Sequence, residues 1–128
     1  MVIIAGVNDV YQGHSAASVQ RELDVMYAAA RAARIVVVAG SVIPYDTAGA
    51  DENARMHAIN DWIRAYAASH PDGVVFCDTR AAVAAPGQPD RLVSSPDGLH
   101  PSPEGYRLMA AALEPVIRAA LAKARALR

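Results

Sequence analysis

Cysteine is nearly absent from this chain of 128 residues: Cys77 stands alone. No internal disulfide can form, and no cysteine-based zinc site can be assembled. Aromatic residues are scarce, at 5%. An excess of one charge is missing as well, since 12 Lys and Arg face 13 Asp and Glu for a formal net charge of −1. Like charges never run beyond pairs. That balance argues against the basic footprint of a nucleic-acid binder and the polybasic patch of a membrane-surface protein. The apolar runs are only a handful of residues long, too short to span a bilayer. The opening segment, Met1 to Asp9, has no basic residue ahead of its short apolar run and does not read as an export signal. As it stands, the chain is expected in the cytoplasm. His14, His57 and His70 lack partners at metal-ligand spacing, so no metal is expected. Neither a dinucleotide fingerprint nor a phosphate loop with its lysine occurs, so no cofactor is expected.

What the sequence does have is alanine, about a fifth of all residues, and enough length for one domain with a real core over residues 1–128. Val2-Ile3-Ile4-Ala5, Ile35-Val36-Val37-Val38-Ala39 and Gly73-Val74-Val75-Phe76-Cys77 are short apolar runs rich in β-branched residues. Being apolar on both faces, they read as parallel strands covered on both sides. Helical spacing fills the gaps. Val19, Leu23, Met26, Tyr27 and Ala30 form one stripe, with Ser15 or Ser18 as its cap. Ile59, Trp62, Ile63 and Tyr66 form a second stripe, stopped by Pro71-Asp72-Gly73. A last helix opens at Ser102-Pro103-Glu104 and carries Leu108, Met109, Leu113, Val116, Ile117 and Leu121. The stretch from Ala81 to Pro96 has no clear period and is expected to hold a short helix and a loop. The order β-α-β-α-β-loop-α predicts a three-layer α/β sandwich. Ligands of such sheets bind beyond the carboxyl ends of the strands.

Two segments at those ends could carry chemistry. Gly6-Val7-Asn8-Asp9 follows the first strand. Its glycine permits a sharp turn, and the Asn8 amide could donate to a developing oxyanion. Asn and Asp are equally ordinary turn residues. Asp97-Gly98-Leu99-His100-Pro101 places a carboxylate three residues before an imidazole. Such a carboxylate can fix the ring tautomer and leave the second nitrogen free as a base. The bland alternative is an exposed histidine beside a capping aspartate.

Taken together, the two segments resemble the SGNH (GDSL-type) hydrolases. Gly6-Val7-Asn8-Asp9 is similar to that family's third block. Asp97 through Tyr106 (DGLHPSPEGY) is similar to its fifth, almost letter for letter. Ser41-Val42-Ile43-Pro44, Asn60 to Ala67 and Val74 to Asp78 match the intervening family segments in style. The resemblance implies a flavodoxin-like three-layer α/β/α sandwich, here with a reduced parallel sheet of about three strands. It implies hydrolysis of esters or thioesters, with His100 as general base, Asp97 as its orienter, Asn8 as an oxyanion donor and Gly6 shaping the turn.

The family's Gly-Asp-Ser block, which carries the nucleophile, has no counterpart here, nor does the second block with its oxyanion glycine. The chain reads as N-terminally truncated, beginning at the family's third strand. A substitute hydroxyl is one possibility, with Ser41 the best placed although a loop hydroxyl bonded to backbone is the simpler reading. Activation of water by Asp97 and His100 is a second. A pseudoenzyme or fragment acting by binding or assembly is the third. A small ester is the expected substrate, with no nucleic-acid or membrane partner. The unblunted apolar edge Val2-Ile3-Ile4-Ala5, or the faces left uncovered beside it, predicts a homodimer.

Overall fold

Alternation along one strand sets the architecture. In the computed structural model, which describes residues 1–126, Val36 and Val38 pack on one face of a sheet while Val37 and Ala39 pack on the other. A strand that is apolar on both sides must be covered on both sides, and helices do so here.

The sheet has three parallel strands in the order β1 (Val2–Ile3), β2 (Val37–Gly40), β3 (Val74–Cys77). Val2 pairs with Val38, and Val37 through Gly40 pair in turn with Val74 through Cys77. After β1 come a short helix, α1 (Val7–Tyr11), and the long α2 (Ala16–Ala32). Helix α3 (Ala50–Ser69) joins β2 to β3. Val19, Leu23 and Tyr27 of α2 and Met56, Ile59 and Ile63 of α3 bury one face of the sheet. Each such side chain contributes about 1.5–3 kcal/mol on leaving water. The opposite face is covered by α5 (Pro103–Ala126), whose Leu113, Val116, Ile117 and Ala120 lie against Val36, Val38 and Cys77. The expected three-layer α/β sandwich is therefore the fold.

Between β3 and α5 the chain forms α4 (Thr79–Val83) and a small antiparallel hairpin, β4 (Ala84–Ala85) with β5 (Gln88–Leu92). The short helix agrees with expectation, but the hairpin departs from the expected loop. Val83 and Leu92 sit with Ile43 and Met109 in a separate apolar cluster beneath it. Other differences are small and have plain causes. β1 stops at Ile3 because Ile4 and Ala5 already lead into the Gly6 turn. Ile35 lies outside β2 and is 43% exposed. Met26 and Leu121 face solvent although their spacing suggested burial. Ser15 is the residue that caps α2, accepting from Ser18 N at 3.2 Å.

Candidate active site

The first component is built by a forced turn. Gly6 has φ +114°, a conformation that side chains disfavour. A Cβ there would also stand 3.1 Å from side-chain carbons of Val19 and Val42. The chain pivots on this glycine into α1, which is pinned by the fully buried Val10. Asn8 therefore sits in the first turn of α1 with its side chain exposed. Among the described residues nothing hydrogen-bonds its carboxamide.

The second component is the loop that leaves β2. Ser41 is 1% exposed, and its hydroxyl is fully engaged. It donates to Asp78 Oδ1 at 3.0 Å and accepts from the Arg80 backbone N–H at 2.8 Å. No hydrogen bond connects it to His100 among the described residues. Next to it, the buried Asn60 clamps Val42 from both sides, accepting from its N–H at 2.6 Å and donating to its carbonyl at 3.0 Å. Tyr45 is buried as well and meets the Tyr11 ring of α1 edge to face at 5.6 Å. Burial raises its hydroxyl pKa, with a smaller push from Glu52.

The third component is the loop between β5 and α5. Asp97 Oδ1 accepts from the backbone N–H of Leu99 at 2.9 Å and of His100 at 2.8 Å. Its Oδ2 meets His100 Nδ1 at 2.7 Å. An ionised carboxylate there requires Nδ1 to carry the proton, which leaves the Nε2 lone pair as the acceptor. Nε2 has no partner among the described residues. The His100 N–H, then its imidazole, then the Leu99 N–H hold the Asp97 carboxyl well below the usual range. Ser95 knits the loop further, accepting from Gly98 N at 2.8 Å and donating to the His100 carbonyl at 2.7 Å. Leu99 packs its side chain against the main core. Ser102 starts α5, accepting from Gly105 N at 3.3 Å.

These components share the carboxyl end of the sheet. Val7 of α1 and Tyr106 of α5, with Ile4, Val42, Ile43 and Met109, line an apolar hollow of about 220 Å³. Two larger clefts open elsewhere, one beside Ile35 and Leu121 and one beside Arg31, Arg34 and His70. The first runs between α5 and the β1–β2 side of the sheet, reaching Val2 and Val38, and the second sits at the amino ends of β2 and β3; His100 lines neither. Among the described residues no group of three or more His, Cys, Asp or Glu side chains could hold a metal ion. Among the described residues no helix is long and apolar enough to cross a membrane.

The structure thus joins Asp97 and His100 directly, sets Asn8 in α1 at the same end of the sheet and engages the Ser41 hydroxyl elsewhere. Behind the site, Arg80 is buried at 6% exposure. Its guanidinium bonds Asp90 Oδ1 at 2.6 Å and Asn53 Oδ1 at 3.2 Å. Asp90 also meets His57 Nε2 at 2.7 Å. Burial pushes the Asp90 carboxyl up, but the hydrogen bonds from Arg80 and His57 together hold it below its usual value. Asn60, Arg80 and Asp90 are supports that residue type and spacing gave no means of finding.

Comparison with known proteins bears on the family and the fold. A family model described as GDSL-like lipase/acylhydrolase matches residues 1–108. A GDSL-like lipase from Bacteroides thetaiotaomicron superposes with TM-score 0.80 at 26% identity, over 93% of this chain and 62% of that one. A member of the lipolytic G-D-S-L family from Veillonella parvula superposes with TM-score 0.77 at 24% identity, over 91% of this chain and 62% of that one, a likeness of fold. The chain therefore spans about three fifths of the length of these structures. No curated protein matches it.

Proposed function

Because this chain belongs to the GDSL-like lipase/acylhydrolase family, we propose that it hydrolyses carboxylic esters, short-chain or activated ones first. The observation that carries this reading is the Asp97–His100 contact at 2.7 Å with Nε2 left free. His100 takes the proton of the attacking group as general base, and Asp97 holds the ring and stabilises the imidazolium that forms. Asn8 donates to the oxyanion from the turn that Gly6 makes. The apolar hollow lined by Val7 and Tyr106 receives the acyl chain, and its small volume favours a short one.

The attacking group in this reading is water. Ser41 is enclosed and already spends its hydroxyl on Asp78, which supports a role in fixing the loop after β2. Slow hydrolysis limited to good leaving groups is the expected outcome. The same isolation of Ser41 favours a second reading, in which the domain binds esters or assembles with another chain without turnover.

Hydrolysis of a short-chain aryl ester by the purified protein, His100→Ala and Asp97→Asn tests the first reading. His100→Ala is expected to fall to background, and Asp97→Asn to lose most of the rate with KM little changed. Equal activity, or equal silence, in all three proteins removes His100 from catalysis and leaves the binding reading standing.

A further inference from the structure

Residues 95–101 hold the Asp97–His100 pair, and their hydrogen bonds turn inward. Ser95, Asp97, Gly98, Leu99 and His100 bond one another. One hydrogen bond leads from this segment to the rest of the described residues. The backbone N–H of Asp46 donates to the Gly98 carbonyl at 2.7 Å. On the other side of the same residue, Asp46 Oδ1 accepts from the Leu92 N–H at 2.9 Å. Leu92 ends β5, just where the chain departs for the loop, and its side chain is buried.

Asp46 therefore spans three elements. Its backbone continues from the buried Tyr45 and so belongs to the rigid loop after β2. Its carboxylate grips the end of the hairpin, and its N–H grips the middle of the histidine loop. The hairpin is itself anchored, because Asp90 two residues earlier is held by Arg80. With the carboxylate fixed, the peptide of Asp46 has one orientation, and that orientation aims its N–H at Gly98. Gly98 has φ +77° and lies close enough that a Cβ there would approach Asp46 Cβ to 3.5 Å.

We infer that Asp46 is a positioning residue, which sets the Asp97–His100 loop against the sheet by clamping Leu92 with its side chain and Gly98 with its backbone. The inference rests on the reading of Asp97 and His100 as the working pair. The clamp needs an acceptor oxygen, not a charge, since no cation lies within salt-bridge distance of Asp46 among the described residues. Asparagine should replace it and alanine should not.

Wild type, Asp46→Ala and Asp46→Asn are compared by two measurements. The first follows the Asp97 carboxyl carbon by NMR during an acid titration, and needs no turnover. In Asp46→Ala the Asp97 midpoint is expected to rise toward that of an ordinary aspartate, while Asp46→Asn keeps the wild-type midpoint. The second is hydrolysis of the aryl ester. In Asp46→Ala kcat is expected to fall by about tenfold to a hundredfold, as for a small misplacement of a catalytic group, with KM unchanged, and asparagine restores it. If His100→Ala proves as active as wild type, the catalytic reading fails and the titration alone judges the clamp. An unmoved Asp97 midpoint in Asp46→Ala, or an equal loss in Asp46→Asn, overturns the inference. Should the alanine variant not fold, Asp46→Ser, too short to reach Leu92, is read by the same criteria.

Discussion

Asp97 accepts three hydrogen bonds at short range, two from backbone and one from His100. Each favours the ionised carboxylate, so its pKa lies lower in the folded chain than in the unfolded one. The sign of the linkage follows. Above the ordinary aspartate value of 3.8 the contribution to stability is fully present. As the pH falls through the depressed folded value, Asp97 binds a proton and the contribution is lost. Amide exchange of Leu99 and His100 is therefore expected to remain slow at pH 4 and to accelerate in stronger acid, earlier than the sheet amides. Uniform acceleration would refute a local role. This pair was legible in the sequence because its members are three residues apart. A carboxylate beside a turn draws its donors from the residues next to it in sequence. The Asn60 contacts with Val42, the Arg80 contact with Asp90 and the Asp46 contact with Gly98 were not legible. Their partners are 18, 10 and 52 residues apart and meet only once helices have docked.

At the scale of elements, apolar runs and helical stripes located β1, β2, β3, α2, α3 and α5. Boundaries slipped by one or two residues wherever a glycine turn or a strand end competed with the apolar pattern, as at Ile4 and Ile35. The β4–β5 hairpin escaped because Ala84-Ala85 and Gln88-Pro89-Asp90 show no alternation; tertiary contacts at Val83 and Leu92 fold it instead. The loop after β2 shows how an element can depend on one side chain. Asn60 reaches from α3 to satisfy both polar groups of Val42, in a site closed to water. Asn60→Ala leaves the Val42 N–H without a partner, at a cost of about 1–3 kcal/mol. Urea unfolding should show a lower midpoint with an unchanged slope. A midpoint equal to wild type would mean that the loop relaxes to find other donors.

Seen whole, the molecule is a sheet of three strands between one face closed by α2 and α3 and another closed by α5 alone. A single helix is a thin cover, and the solitary thiol lies under it. Cys77 is buried at the end of β3, with Sγ 3.6 Å from the Ala112 carbonyl of α5. Burial, reinforced by Asp78, raises its thiol pKa and keeps it unreactive. The chain thus contains its own clock for the lifting of that helix. A thiol reagent should modify the native protein slowly, at a rate set by how often α5 swings away, and the unfolded protein at once. Rapid modification under native conditions would mean that α5 behaves as a door instead of a wall. The histidine loop is joined to the first turn of that helix, so the label would time the breathing of the site's own hinge.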